Sequence, residues 1–144
     1  MNYITRERAH VDRIATAWAI RRFIDSEATF QFVPRTRDVR GMDGIPFDVR
    51  GAALTHRGGR CTFEVLLQTY SLTDPALERM GRVIHAADLP QDEPSTSLGP
   101  GVLAIFDGIR DGCDSDEERL SRGFVVCDAL YEYCKQEGVS DADE

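Results

Sequence analysis

The chain has 144 residues, of which 42% are hydrophobic and 29% charged, and it carries a net charge of −8. That is enough for one domain with its own core, and the acidic balance excludes a general nucleic-acid-binding surface. The first eight residues are charged with no apolar region behind them, and the longest apolar run, residues 14–20, is far too short to span a bilayer.

Taken in chain order, residues 10–25 read as a helix. Val11, Ile14, Ala15, Trp18 and Arg22 form one stripe with Ile20, Phe23 and Ile24 beside it, a width that implies burial on more than one side. Residues 29–34 alternate and are β-prone, which predicts a strand. Short strands are expected around residues 47–49 and 53–55, within a segment rich in glycine and arginine. From Cys61 the character turns helical, with Thr62 as the expected cap. Asp74 followed by Pro75 is a strong helix start, and that helix runs to about Leu89. A polar loop over residues 90–101 precedes a short buried helix at 102–109. Acidic residues at 114–118 then open a last helix ending near Gly138 and complement its dipole. The fold class is α+β: a mostly helical single domain, residues 1–138, with a small sheet from residues 29–56 and a disordered acidic tail at 139–144.

Charge is split along the chain. Residues 1–60 carry a balance of +4 and residues 61–144 a balance of −12, and 16 of the 17 basic residues are arginine. Arginine's planar fork pairs oxyanions and carboxylates bidentately. Arg21, Arg22 and Arg57 are the candidates for oxyanion binding. The four cysteines show no C-x-x-C pair and no zinc-ribbon spacing. Cys127 and Cys134 would lie about 10 Å apart along a helix axis, too far for a disulfide. Reduced thiols fit a cytoplasmic protein.

The three histidines carry the chemistry. His10 stands at a helix start beside Asp12, His56 precedes the Gly58-Gly59 turn and lies eight residues before Glu64, and His85 is followed by Asp88. Positions i and i+3 share a helix face, so His85 and Asp88 are expected to project together toward the core. A buried carboxylate there must be paired or on a metal. Neutral imidazoles with a carboxylate suit iron, manganese or, less well, zinc. The predicted ligands are His56, His85 and Asp88, completed by Glu64 or His10. Asp12, Asp107 and Asp128 are predicted to orient ligand imidazoles, an arginine bridge being the alternative for the last two. No G-x-G-x-x-G, P-loop, H-E-x-x-H or G-x-S-x-G motif is present.

Val11-Asp12-Arg13-Ile14-Ala15, Trp18, Ile45-Pro46-Phe47-Asp48, His56 with Arg60-Cys61-Thr62-Phe63-Glu64, Ile84-His85 with Asp88, and Asp128-Ala129-Leu130-Tyr131 resemble the C-terminal domain of chromate-resistance protein B. Longer members of that family carry an extra N-terminal domain linked to operon regulation, and this chain resembles the second domain alone. The resemblance implies a role in chromate stress. Three histidines and one aspartate around a metal are similar to the ligand set of iron and manganese superoxide dismutases. The expectation is one iron or manganese ion acting on a small anion, superoxide or chromate, in a domain free to form a homo-oligomer. The alternative is a non-enzymatic sensor whose arginines bind chromate.

Overall fold

The computed structural model describes residues 1–92 and 96–136. Its elements run β1 (Asn2–Arg6), α1 (Val11–Ala19), β2 (Thr29–Val33), β3 (Ile45–Pro46), α2 (Thr62–Thr69), α3 (Pro75–Asp88), α4 (Gly99–Gly112) and α5 (Asp116–Lys135). A π-helical segment, Ile20–Ile24, continues α1 without a break. The class is α+β, mostly helical, as expected.

The three strands form a parallel sheet in the order β2-β1-β3, with Asn2 opposite Thr29 and Tyr3 opposite Ile45. Parallel neighbours need a crossover, and α1 supplies the one between β1 and β2. The sheet therefore differs from the expected span of residues 29–56: its central strand is β1, and it ends at Pro46. β1 escapes the sequence signals because it is short and its inner residues, Tyr3, Ile4 and Thr5, are all buried, which erases the alternation. The expected strand at 53–55 reduces to a single bridge between Phe47 and Leu54.

α1 is the core of the molecule. Every residue from Val11 to Ala19 except Arg13 is buried, and α1 packs against α2, α3, α4 and α5. On α5, Gly123 lies against Ile14 so tightly that an added Cβ would stand 2.4 Å from Ile14 Cγ2. Trp18 is buried at the other end, its indole Nε1 donating to Asp128 on α5 over 2.7 Å. α3 begins as its signals require, Asp74 accepting from the Ala76 amide beside Pro75. α4 is longer than expected, because Gly99 and Pro100 are already helical, and it is not wholly buried, with Ile105 exposed. The tail at 139–144 lies outside the described residues. Among those residues no helix is long and apolar enough to cross a membrane.

Candidate metal centre

The N-terminus of α2 faces the first turn of α1, and this junction organises the site. A helix N-terminus leaves backbone amides without intrahelical partners. Here the carboxylate of Asp12 supplies them from outside: Oδ2 accepts from Thr62 N and Oδ1 from Phe63 N, each over 2.9 Å. The α2 dipole favours an anion at this point. Asp12 nevertheless sits 2% exposed, beside two further carboxylates. Burial first, then the charges of Asp48 and Asp88, push its pKa up to about 7 against the help of the two amides.

Those two carboxylates meet at His56. Its Nε2 lies 3.0 Å from Asp88 Oδ2 and 3.5 Å from Asp12 Oδ2. Its Nδ1 lies 3.1 Å from the Thr62 hydroxyl, which itself donates to Asp48 Oδ1 over 2.7 Å. A hydroxyl has one proton to give, and Thr62 gives it to Asp48. Nδ1 is therefore the protonated nitrogen facing Thr62, and Nε2 is left to face Asp12 and Asp88. This is the arrangement in which an outer hydrogen bond fixes the tautomer of a metal-binding imidazole. With no cation between ring and carboxylates, His56 holds a second proton. Contact with Asp48, then with Asp88, raises its pKa to about 9 against the cost of burial.

Asp48 is held in place from several sides. Its backbone is in the left-handed region, φ 51°, a conformation aspartate tolerates better than most residues and one that recurs where a fold positions a functional group. Arg13 bonds its carbonyl over 2.8 Å and pairs its carboxylate over 3.1 Å. Burial would raise the Asp48 pKa, but the His56 ring, Arg13 and the Thr62 hydroxyl outweigh it and hold it low. Three carboxylates thus surround one imidazole, with Arg13 the one other cation that pairs with any of them among the described residues.

His85 is turned to a second group. Its Nδ1 lies 2.5 Å from Glu64 Oε1 and its Nε2 3.0 Å from Asp92 Oδ2. Burial works against its charged form, but these two hydrogen bonds prevail and raise its pKa. Cys61, the N-cap of α2, has its thiol within 4.8 Å of the Glu64 and His85 ligand atoms.

The structure thus regroups the donors expected from sequence. His56 and Asp88 do converge, but His85 and Asp88, though three residues apart on α3, point to different partners. His10 joins neither group: its Nε2 bonds Asp107 on α4 over 2.7 Å. The three-histidine set does not form: among the described residues the ligand atoms that lie within 4.8 Å of one another belong to Asp12, Asp48 and His56 in one group and to Cys61, Glu64 and His85 in the other, each with a single histidine. Asp12, expected behind a ligand, faces Nε2 directly. Asp107 and Asp128 orient neither His56 nor His85; Asp107 pairs with His10 and Arg110, and Asp128 takes Trp18 and both ends of the Arg22 fork. Of the expected oxyanion binders, Arg21 and Arg22 line one cleft between β2 and α5, whereas Arg57 is in the turn after His56, bonded to the Ala53 carbonyl. Sequence reasoning missed Asp48 and Asp92. The one signal was that Asp48 lies in a stretch already singled out by resemblance. All four cysteines are free and buried.

The family model for the C-terminal domain of ChrB matches residues 3–134, a span that includes every residue of both clusters. The chain belongs to the ChrB C-terminal domain family. It is similar to Protein ChrB of Cupriavidus metallidurans, 40% identical over 133 residues, covering 90% of this chain and 39% of that protein. The chain therefore spans well under half the length of this ChrB relative. No solved structure matches the chain.

Proposed function

We propose that this domain holds one iron or manganese ion between His56 Nε2, Asp12 and Asp88, and acts as a redox protein in defence against chromate and oxidative stress. The observation that carries it is the convergence of Asp12, Asp48 and Asp88 on one imidazole whose Nδ1 is already committed to Thr62. Like charges this close in a mostly buried place repel, and a divalent cation relieves them. Oxygen-rich donors with one imidazole suit manganese and iron better than softer ions. The chromate context comes from the resemblance to the chromate-resistance family.

Such an ion supplies one-electron chemistry, and superoxide is a substrate of suitable size and charge. The residues of the chain do the rest. Asp12 fixes the site to α2, Thr62 and Asp48 hold the ring, and the exposed Arg57 beside His56 offers positive charge to an incoming anion. The test is elemental analysis of protein purified without a histidine tag, followed by superoxide consumption with chelator present. About one equivalent of iron or manganese, and activity lost on His56→Ala or on exchange for zinc, which has no second oxidation state, supports the proposal. An active zinc form refutes it.

A second reading, a chromate-responsive sensor, is favoured by Arg21. Its guanidinium makes no ion pair with the described carboxylates, lies over the rings of Phe30 and Phe124, and keeps a buried Nε without a hydrogen-bond partner. The cleft it lines has a volume of about 530 Å³. Calorimetry on metal-free protein should then show saturable chromate binding that sulfate competes and salt weakens. No heat at millimolar chromate removes this reading.

A further inference from the structure

We propose that Cys61, Glu64 and His85 form a second metal site, separate from the first, that takes a zinc-class ion. Cys61 and Glu64 are the N-cap and third residue of α2, so the helix presents both on one side of its first turn. The capping contacts lock them: the Glu64 carboxylate accepts from the Cys61 amide over 3.1 Å, and the Cys61 side chain accepts from the Glu64 amide. His85 comes from α3, which approaches α2 at Gly81, where an added Cβ would stand 3.4 Å from Glu64 Cγ. One turn later the imidazole reaches Glu64. The three ligand atoms lie within 4.8 Å of one another.

The outer contact distinguishes this cluster from a chance gathering of polar groups. His85 uses Nδ1 toward Glu64 and Nε2 toward Asp92. A carboxylate on the far nitrogen is the partner that orients metal-binding imidazoles and raises their basicity. Without an ion, His85 Nδ1 donates its proton in the hydrogen bond to the Glu64 carboxylate. The Cys61 thiol stays neutral, because burial and then the nearby Asp12 and Glu64 carboxylates push its pKa well above the usual thiol range. Binding an ion M²⁺ forms one bond each to sulfur, nitrogen and oxygen. It releases two protons to solvent, one from the thiol and one from the His85–Glu64 pair. The thiolate favours zinc over manganese or magnesium, and three protein ligands leave a fourth position for water. The side chains of His85 and Glu64 are 12% and 22% exposed, so the ion has a route in from solvent.

Cobalt(II) is the probe, because a cobalt–thiolate bond gives charge-transfer absorption in the near ultraviolet. Titrating the full chain with cobalt(II) should produce that band, and zinc should abolish it. Cys61→Ser, which keeps a hydroxyl at the helix cap, should lose the band, whereas Cys113→Ser should keep it. Asp92→Asn, a change at a partly exposed side chain, should retain the band but weaken cobalt binding about 10–100-fold. Asp48→Asn, which removes a carboxylate beside His56 and leaves Cys61, Glu64, His85 and Asp92 in place, should leave band and affinity unchanged, so this site and the first stand or fall separately. Absence of the band in the wild-type chain overturns the proposal, as does a band that survives in folded Cys61→Ser. An unchanged affinity in Asp92→Asn removes its oriented-imidazole basis.

Discussion

Replacing Asp12 by alanine tests how the α1–α2 junction is built. Asp12 accepts from the amides of Thr62 and Phe63, and both residues are fully buried, so water cannot take its place. Each orphaned buried amide costs about 1–3 kcal/mol. Where Asp12 is ionised, one opposing effect lowers the sum: removing the carboxylate also removes its repulsion with Asp48 and Asp88. The sign follows from linkage. A carboxyl whose folded pKa is raised from 3.8 to about 7 binds more protons folded than unfolded. Wild-type stability therefore falls as pH rises through that window, and the alanine variant lacks this term. In chelated buffer at pH ~5, where Asp12 is mostly neutral, the expected loss is about 2–4 kcal/mol. At roughly 3–4 °C per kcal/mol for a domain of this size, that is a fall in Tm of about 6–16 °C. The gap between wild type and variant should narrow from pH ~5 to pH ~8. Urea unfolding followed by far-ultraviolet circular dichroism measures it. A loss below about 1 kcal/mol at the lower pH, or a gap that widens with pH, refutes this view of the junction.

Two further outcomes follow from the packing and the titration. Gly123→Ala places a methyl group into Ile14 Cγ2, so overpacking of about 2–3 kcal/mol should outweigh the ~1 kcal/mol gained in helix propensity, and thermal unfolding should show a net loss. The His56 ring, whose pKa is raised to about 9 by Asp48 and Asp88, should titrate near that value by NMR in metal-free protein, and the resonance should vanish in His56→Gln. Its stabilising effect is fully present below pH ~6.5 and lost as pH rises through about 9. Metal must displace that proton, so affinity should rise over the same window.

Much of the helical frame was legible in the sequence, because its signals are local. Asp74 and Pro75 announced α3, and the stripe from Val11 to Trp18 announced a helix buried on several sides. β1 was not legible, since a short strand buried on both faces shows no alternation. The donors His56, Glu64, His85 and Asp88 were visible as residue types. Their pairing was not, because positions three apart on a helix differ by roughly 60° in direction. Between them lies the N-terminus of α2, so Asp88 turns to His56 and His85 to Glu64. Asp12 arrives from a segment far away in the chain, and Asp48, although it precedes His56 by only eight residues, is connected to that ring by no spacing rule. The misplacement of His10 has the same origin: its partner Asp107 comes from α4, which only the tertiary fold brings near.

The proposed function requires that His56, Asp12 and Asp88, braced by Asp48, hold a redox-active divalent ion. Titration of chelator-treated protein with manganese(II), read by loss of the free-ion electron paramagnetic resonance signal, tests it most directly. The expected result is saturation at about one equivalent in the wild-type chain and in His10→Ala. Binding should weaken about 10–100-fold in Asp48→Asn, which removes the brace behind the ring, and disappear in His56→Ala. Equal binding by wild type and His56→Ala, or no binding by wild type, would contradict the claim.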